Sequence, residues 1–93
     1  MGHRNLIGPQ VRKLRSQRGW TQDQLAGALQ RVGLDVSRSA VAKIEARMVW
    51  VGDHELYYFL KVFRVDFEDL FPPIDPQDPE LYETLRSFMR GRF

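Results

Sequence analysis

The 93-residue chain contains no cysteine, which excludes disulfide bonds and thiolate metal sites and is compatible with a reducing compartment. It also lacks any run of about 18 apolar residues, so we expect no membrane span. The first residues do not follow the basic, apolar and small-residue order of a secretory signal. These absences lead us to expect a cytoplasmic protein that does not enter a membrane.

Patterns that support catalysis are missing as well. The only two histidines, His3 and His54, have no cluster of metal-ligating residues near them in the sequence. There is no Ser-His-Asp arrangement and no glycine-rich phosphate loop. The carboxylates of residues 66–69 lie at a predicted helix start, where the helix dipole favours them. We therefore expect no enzymatic activity, no cofactor and no small-molecule substrate.

The net charge of +2 conceals an asymmetry between the two parts of the chain. Residues 1–64 carry eleven Lys or Arg against five Asp or Glu, whereas residues 65–93 carry three against seven. A basic body is typical of a nucleic-acid binder. Charge alone fits a solvated basic helical domain equally well.

Helical patterns begin after residues 1–7, which look like a loose start to the chain. Gly8-Pro9 precedes a first helix, since proline suits the first turn, and Val11 and Leu14 share one face of it. Gly19 is expected to end this helix.

The next two helices carry clear cap signals. Thr21 and Gln24 form a capping-box pattern at the start of a second helix, which Gly33 is expected to end. Ser37 is the expected N-cap of a third. The apolar stripes predict burial of Leu25, Ala26, Leu29, Val41 and Ile44.

Two further helices and a tail complete the predicted fold. Asp53 is expected to cap a fourth helix with Leu56, Phe59, Leu60 and Phe63 on its inner face, and Asp66 a short fifth helix through Leu70. Four prolines in residues 72–79 predict an extended connection to a last amphipathic helix at 80–90. The patterns thus predict an all-α protein, with a five-helix domain at 8–71 and a Pro-rich connection and C-terminal helix at 72–93.

Three pieces of the chain, in order, carry a family resemblance. They are VRKLRSQRGWTQDQLA (11–26), VSRSAVAKIEAR (36–47) and HELYYFLKVFRVDFEDLF (54–71). Together they resemble the Cro/phage-repressor type of helix-turn-helix, also called the xenobiotic-response-element family. The resemblance implies a lambda-repressor-like fold and a transcription regulator or repressor that binds double-stranded DNA, with the helix starting at Ser37 in the major groove.

The resemblance also implies which residues face DNA. The positions that match the family's contact residues are Gln22, Arg38, Ser39, Ala42 and Lys43, and Glu45 matches a position that is usually structural. From their place in the pattern, Ser37 and Arg47 are added as contact candidates, as are Arg12 and Arg15 on the outer face of the first helix. Solvated charge is the alternative for the basic residues, and helix capping for Ser37.

One segment departs from the family pattern. Six residues, 30–35, separate Leu29 from Val36-Ser37, where the family has about one or two. We expect either a longer first motif helix or a wider turn. Packing of Leu25 against Val41 survives either change, but the angle at which Arg38 meets the groove is open.

The partners expected are DNA and a second copy of the chain, because specific DNA sites are commonly read by dimers. Two apolar surfaces are candidates for the dimer contact: the loop tip at 48–51 and a tail stripe of Leu81, Leu85, Phe88 and Met89. The alternative for the tail is that it folds back and covers the core of its own chain. Trp20 is expected in the core, while Trp50 lies in the apolar loop tip. An alternative function is a protein-interaction module, adaptor or antitoxin-like, on the same helical fold.

Overall fold

The computed structural model of the chain describes residues 3–72. These residues form four α-helices and a short 3-10 helix, with no strand among them. The elements are α1 (Gly8–Gln17), α2 (Gln22–Val32), α3 (Arg38–Glu45), α4 (Asp53–Phe63) and the 3-10 helix (Phe67–Leu70). The predicted all-α class is confirmed for this part of the chain.

Two predicted elements differ in outcome. The fifth helix is a 3-10 helix of four residues rather than an α-helix, although Asp66 is its N-cap. The predicted C-terminal helix lies outside the described residues, and the division of the chain at residue 72 stays a prediction. None of the described helices combines the length and the apolar content that crossing a bilayer requires.

The caps of α2 and α3 follow from local hydrogen bonding. The Thr21 hydroxyl accepts from the Gln24 amide N–H at 3.0 Å, and the Gln24 side chain accepts from the Thr21 N–H at 2.8 Å. The Ser37 hydroxyl accepts from the Ala40 N–H at 3.1 Å. Gly33 ends α2 with a φ of 116°, a left-handed conformation that favours glycine. All four predicted cap roles are confirmed.

The predicted cap of α4 is displaced by one residue. The N-cap is Gly52, whose N–H donates to the Glu55 carboxylate at 3.0 Å, and Asp53 is the first helical residue. The prediction of Asp53 as the N-cap was wrong. Aspartate is a preferred capping residue, but Glu55 lies three residues after Gly52, and its carboxylate satisfies the Gly52 N–H instead. Asp53 still lies in the first turn, where a carboxylate is favourable to the helix dipole.

One hydrophobic core joins the elements. Helix α2 packs against both α3 and α4, while α1 packs against α3 and the 3-10 helix. Trp20, partly buried, stacks on Phe63 with ring centroids 6.1 Å apart, in the core position predicted for it. The buried apolar residues are Ile7, Val11, Leu25, Ala26, Leu29, Leu34, Val41, Ile44, Phe59, Phe63 and Leu70.

The long connection between α2 and α3 combines both of the expected changes. Helix α2 continues to Val32, and an extended segment then leads to α3. Leu34 is buried, and the Gln30 side chain donates to the Val36 carbonyl at 2.6 Å, so the wide turn is anchored at both ends. Leu25 and Val41 remain fully buried in the same core.

The start of the chain is not loose from Arg4 onwards, which corrects the prediction for residues 1–7. Ile7 is 2% exposed and belongs to the core. The Arg4 N–H donates to the Arg47 carbonyl at 3.0 Å, and the Asn5 side-chain amide donates to the Ile44 carbonyl at 3.2 Å. The last carbonyls of a helix need partners from outside it, and these residues supply one for α3.

Candidate nucleic-acid interface

A shallow, open depression lies where α2 and α3 begin. Its lining brings together five of the nine predicted contact candidates: Gln22, Ser37, Arg38, Ser39 and Ala42. The serine and arginine side chains are exposed, whereas Gln22 and Ala42 are half-buried. Because both helices start here, the partial positive ends of two helix dipoles are close to this surface, where they favour an anion such as a phosphate.

The outer face of α3 is suited to close approach. Ser39 and Ala42 are short, and Arg38 stands beside them with its guanidinium in solvent. A long exposed side chain at the centre of this face would hold a partner away from the backbone. A flat polar edge, such as that of a base pair, therefore has access to this face.

Lys43 lies at the other edge of α3. It lines a second open groove, which it shares with Ser39 and with Trp50 of the loop after α3. Lys43 is exposed, and Trp50 is 73% exposed. The exposed surface at α2 and α3 therefore has two edges, one at Gln22 and Arg38 and the other at Lys43.

A buried carboxylate joins three elements behind this surface. Glu45 is 4% exposed and accepts two hydrogen bonds from Arg15, from Nε at 2.6 Å and from Nη2 at 3.1 Å. It also accepts from Gln22 Nε2 at 3.1 Å and from Arg12 Nε at 3.4 Å. The prediction of a joining role for Glu45 agrees with these contacts.

The ionisation of Glu45 is set by this cluster. Burial alone would raise the pKa of its carboxyl, but hydrogen bonds from Arg15 and Gln22, the Arg15 charge and the Arg12 hydrogen bond outweigh burial and lower that pKa. The pKa of Arg15 is raised, chiefly by its hydrogen bond to Glu45. Both groups are therefore charged at neutral pH, and the excess positive charge of the cluster lies on Arg12.

The same cluster changes the roles expected for α1. The Arg15 side chain is only 16% exposed and also donates to the Trp20 carbonyl at 2.7 Å, so its predicted place on the outer basic face is wrong. The spacing within α1 could not show this, because its partner comes thirty residues later. Arg12 keeps 60% of its side chain exposed and remains on the surface.

Gln22 and Arg47 are both held by neighbours. The bond from Gln22 to Glu45 fixes the side chain at the rim of the depression. Arg47 has a φ of 62° and donates from Nε to the Asn5 carbonyl at 2.7 Å. Arg47 lines neither the depression nor the groove that contains Lys43. Arg47 is therefore hydrogen-bonded to the N-terminal segment, and its contact with DNA stays a prediction.

Asn5 is the residue that sequence reasoning missed. Its side chain accepts from the Gly8 N–H at 2.8 Å and donates to two carbonyls at the end of α3 and beyond. Asn5 lies two residues before the N-cap Ile7, so the usual N-cap pattern does not identify it, although its side chain satisfies the N–H of Gly8, the first helical residue. Its longer-range bonds have no local signature.

No group of three or more His, Asp or Glu side chains suited to a metal ion occurs within residues 3–72. Comparison of the chain with curated proteins and with solved structures found no significant match in either set. The Helix-turn-helix family model, by contrast, matches residues 11–70, which is more than half of the chain and includes α2, α3 and the connection between them. The chain therefore belongs to the Cro/C1-type helix-turn-helix family of DNA-binding domains.

Proposed function

We propose that the protein is a sequence-specific, cytoplasmic transcriptional regulator that reads the major groove of DNA with α3. The observation that carries this proposal is the common depression of Gln22, Ser37, Arg38, Ser39 and Ala42 at the start of two helices. It combines hydrogen-bond donors, a cation and short side chains on one accessible surface, which is the combination needed for contact with phosphates and base edges.

We infer different DNA partners for the two ends of this surface. With α3 in the major groove, Arg38 is able to donate two hydrogen bonds to a guanine edge, and Ser39 is able to meet several bases. The first turn of α2 approaches a phosphate with its free amide groups and the Gln22 side chain. Contacts to phosphate position the protein, and contacts to bases select the sequence.

Charge supports the same orientation. The exposed cations Arg12, Arg38 and Lys43 lie on α1 and α3, on the basic part of the chain. Residues 65–93 carry an excess of acidic side chains, which phosphates repel. We therefore expect the acidic part of the chain to point away from DNA.

A salt titration tests DNA binding itself. Affinity for a duplex of random sequence, measured by fluorescence anisotropy of labelled DNA, is expected to fall steeply and linearly on a log–log plot as salt rises, because bound phosphates release counterions. Absence of binding even at low salt would contradict the proposal.

Arg38→Ala tests the reading of sequence. After selection of a preferred duplex, the variant is expected to lose about 1–3 kcal/mol of discrimination between that duplex and random DNA, with an unchanged circular-dichroism spectrum. Lys61→Ala is the matched control, since it removes one exposed cation from α4, outside both grooves. An equal loss in the two variants would contradict the role of Arg38.

We also propose that the protein acts as a homodimer. A single small domain makes few phosphate contacts, and two copies reading half-sites about one helical turn apart would supply more. Sedimentation equilibrium gives the solution mass directly. A monomeric mass both free and on a palindromic duplex would exclude the dimer.

A protein-interaction module is the second candidate. It is favoured by the loop after α3, where Met48 is 61% and Trp50 73% exposed. Large exposed apolar side chains that lie together often mark a contact with another protein. The salt titration separates the two functions, because a module of this kind without DNA binding shows no salt-dependent affinity for the duplex.

A further inference from the structure

The N-terminal segment, which lies outside the region matched by the family model, is hydrogen-bonded to the end of α3. The family match begins at residue 11, whereas Arg4 and Asn5 bind the end of α3 and the loop that follows it. We propose that Asn5 is a positioning residue for DNA binding: it fixes the loop 47–51 so that Trp50 stands beside Lys43 at the edge of α3. This inference rests on the proposed function.

Asn5 bridges the two sides of the loop. Its side-chain amide donates to the Ile44 carbonyl at 3.2 Å, before the loop, and to the Val49 carbonyl at 2.9 Å, within it. Its own carbonyl accepts from Arg47 Nε at 2.7 Å. Asn5, near the start of the chain, thereby binds three residues within the six-residue stretch 44–49: Ile44, Arg47 and Val49.

The loop needs such support because its backbone is strained. Arg47 has a φ of 62°, a left-handed backbone conformation that is unfavourable for residues other than glycine. A residue in such a strained conformation persists only where several contacts from the surrounding structure hold its backbone in place. The Arg4 N–H donates to the Arg47 carbonyl at 3.0 Å, and this bond and the Asn5 bonds to the Ile44 and Val49 carbonyls together supply that constraint.

Asn5 is also held firmly on its other side. Its Oδ1 accepts from the Gly8 N–H at 2.8 Å, and Gly8 lies so close to α3 that an added Cβ would meet the Ile44 carbonyl oxygen at 2.5 Å. The start of α1 therefore serves as a fixed base from which Asn5 reaches the loop.

The loop tip presents a side chain suited to the DNA backbone. Trp50 is 73% exposed and lines the same open groove as Ser39 and Lys43. Its indole N–H is able to donate to a phosphate oxygen, and its flat ring offers an apolar surface to a deoxyribose. Because the cation Lys43 lines the same groove, this edge of α3 fits the sugar–phosphate backbone of the duplex, on the side away from Gln22.

The first arm of the test needs no DNA. The chain has two tryptophans, so a Trp20→Phe background leaves Trp50 as the single reporter. In that background Asn5→Ala is expected to lower the fluorescence anisotropy of Trp50, because the loop gains motion. Gln10→Ala is the control, since Gln10 donates to the Asp69 carbonyl at 3.1 Å, away from the loop. Unchanged anisotropy in Asn5→Ala would overturn the inference.

The second arm measures duplex affinity in the chain with both tryptophans. Asn5→Ala is expected to weaken binding between about threefold and tenfold, on the scale of one or two ordinary hydrogen bonds, with Gln10→Ala at parental affinity. The Asn5→Ala effect should largely disappear in a Trp50→Ala background, since both changes act through the loop tip. Additive losses, or no loss, would overturn the positioning role.

The two arms separate the inference from the function on which it rests. If the parent chain shows no salt-dependent duplex binding, the proposed function fails together with the DNA part of the inference. The anisotropy of Trp50 then still decides whether Asn5 holds the loop. If the parent binds DNA and Asn5→Ala binds it with the same affinity as the parent, the proposed function stands and the role of Asn5 is refuted.

Discussion

Arg15 and Glu45 form a buried, two-bonded ion pair between α1 and the last residue of α3, with distances of 2.6 and 3.1 Å. The same carboxylate accepts from Gln22, at the start of α2. The proposed phosphate contact at Gln22 and the orientation of α3 are therefore linked through one side chain. A change in this pair is expected to affect both the fold and the DNA surface.

Glu45→Gln is expected to lower the free energy of unfolding by about 3 kcal/mol at neutral pH, because it leaves the mostly buried Arg15 charge without its partner. Urea denaturation measures the change. Glu55→Gln is the matched control, since Gln also serves in a capping box and Glu55 has no cation partner among the described ion pairs. A similar loss in both variants would show that the ion pair adds nothing specific.

The effect of Glu45→Gln should depend on pH in a definite direction. The pKa of Glu45 is lowered in the folded state, so the unfolded chain binds its proton more readily. The stability from the ionised carboxylate is complete above the unfolded pKa and is lost as the pH falls through the lowered, folded pKa. The difference between parent and variant should therefore shrink as the pH falls below the ordinary range of a glutamate pKa. A difference that grows on acidification would contradict this assignment.

Gly8→Ala and Gly27→Ala are expected to act in opposite directions. A Cβ at Gly8 would lie 2.5 Å from the Ile44 carbonyl oxygen and 2.8 Å from that of Glu45, and neither backbone atom is free to move aside. We expect a loss of about 2–3 kcal/mol in unfolding free energy. At Gly27, inside α2, the nearest atom is the flexible Arg31 side chain at 3.6 Å, so alanine should add about 0.5–1 kcal/mol. Thermal or urea unfolding of the pair tests both signs, and a tolerated Gly8→Ala would refute the tight contact of α1 with α3.

The features that sequence reasoning predicted well act over three or four residues. Thr21 with Gln24, and Ser37 with the Ala40 amide, are complete within a single helical turn, so their patterns are visible in the chain. The apolar stripes likewise identify one face of each helix, and Leu25 and Val41 are fully buried as predicted. Of the five depression residues, Gln22, Arg38, Ser39 and Ala42 were predicted from the family resemblance, and Ser37 from its place at the start of the third helix.

The missed features depend on the tertiary fold. Arg15 has the spacing of an exposed residue, and only the packing of α1 against α3 brings Glu45 to it. Asn5 looks like part of an irregular start, but its partners Ile44 and Val49 are about forty residues away. Specific polar bonds over such separations have no periodic signature, whereas hydrophobic faces do.

Ser37→Gly is expected to weaken DNA binding with little loss of stability. Glycine is itself an acceptable N-cap and costs only a few tenths of a kcal/mol there, but it removes the hydroxyl from the depression. Thr21→Gly is the control, since Thr21 caps α2 in the same way without lining the depression. Duplex anisotropy and urea unfolding measure the two effects. Equal affinities of the two variants would assign Ser37 a capping role alone.

Arg64→Gly is expected to stabilise the fold. Arg64 ends α4 with a φ of 55°, and its exposed side chain makes no hydrogen bond among the described residues. Glycine adopts this left-handed conformation without the steric penalty, so the unfolding free energy should rise by about 0.5–1 kcal/mol. Gly33→Ala provides the reverse change at the end of α2, where φ is 116° and a Cβ would approach the Tyr58 ring at 3.4 Å, and it should be destabilising. A loss of stability in Arg64→Gly would mean that the arginine side chain contributes more than its backbone conformation costs.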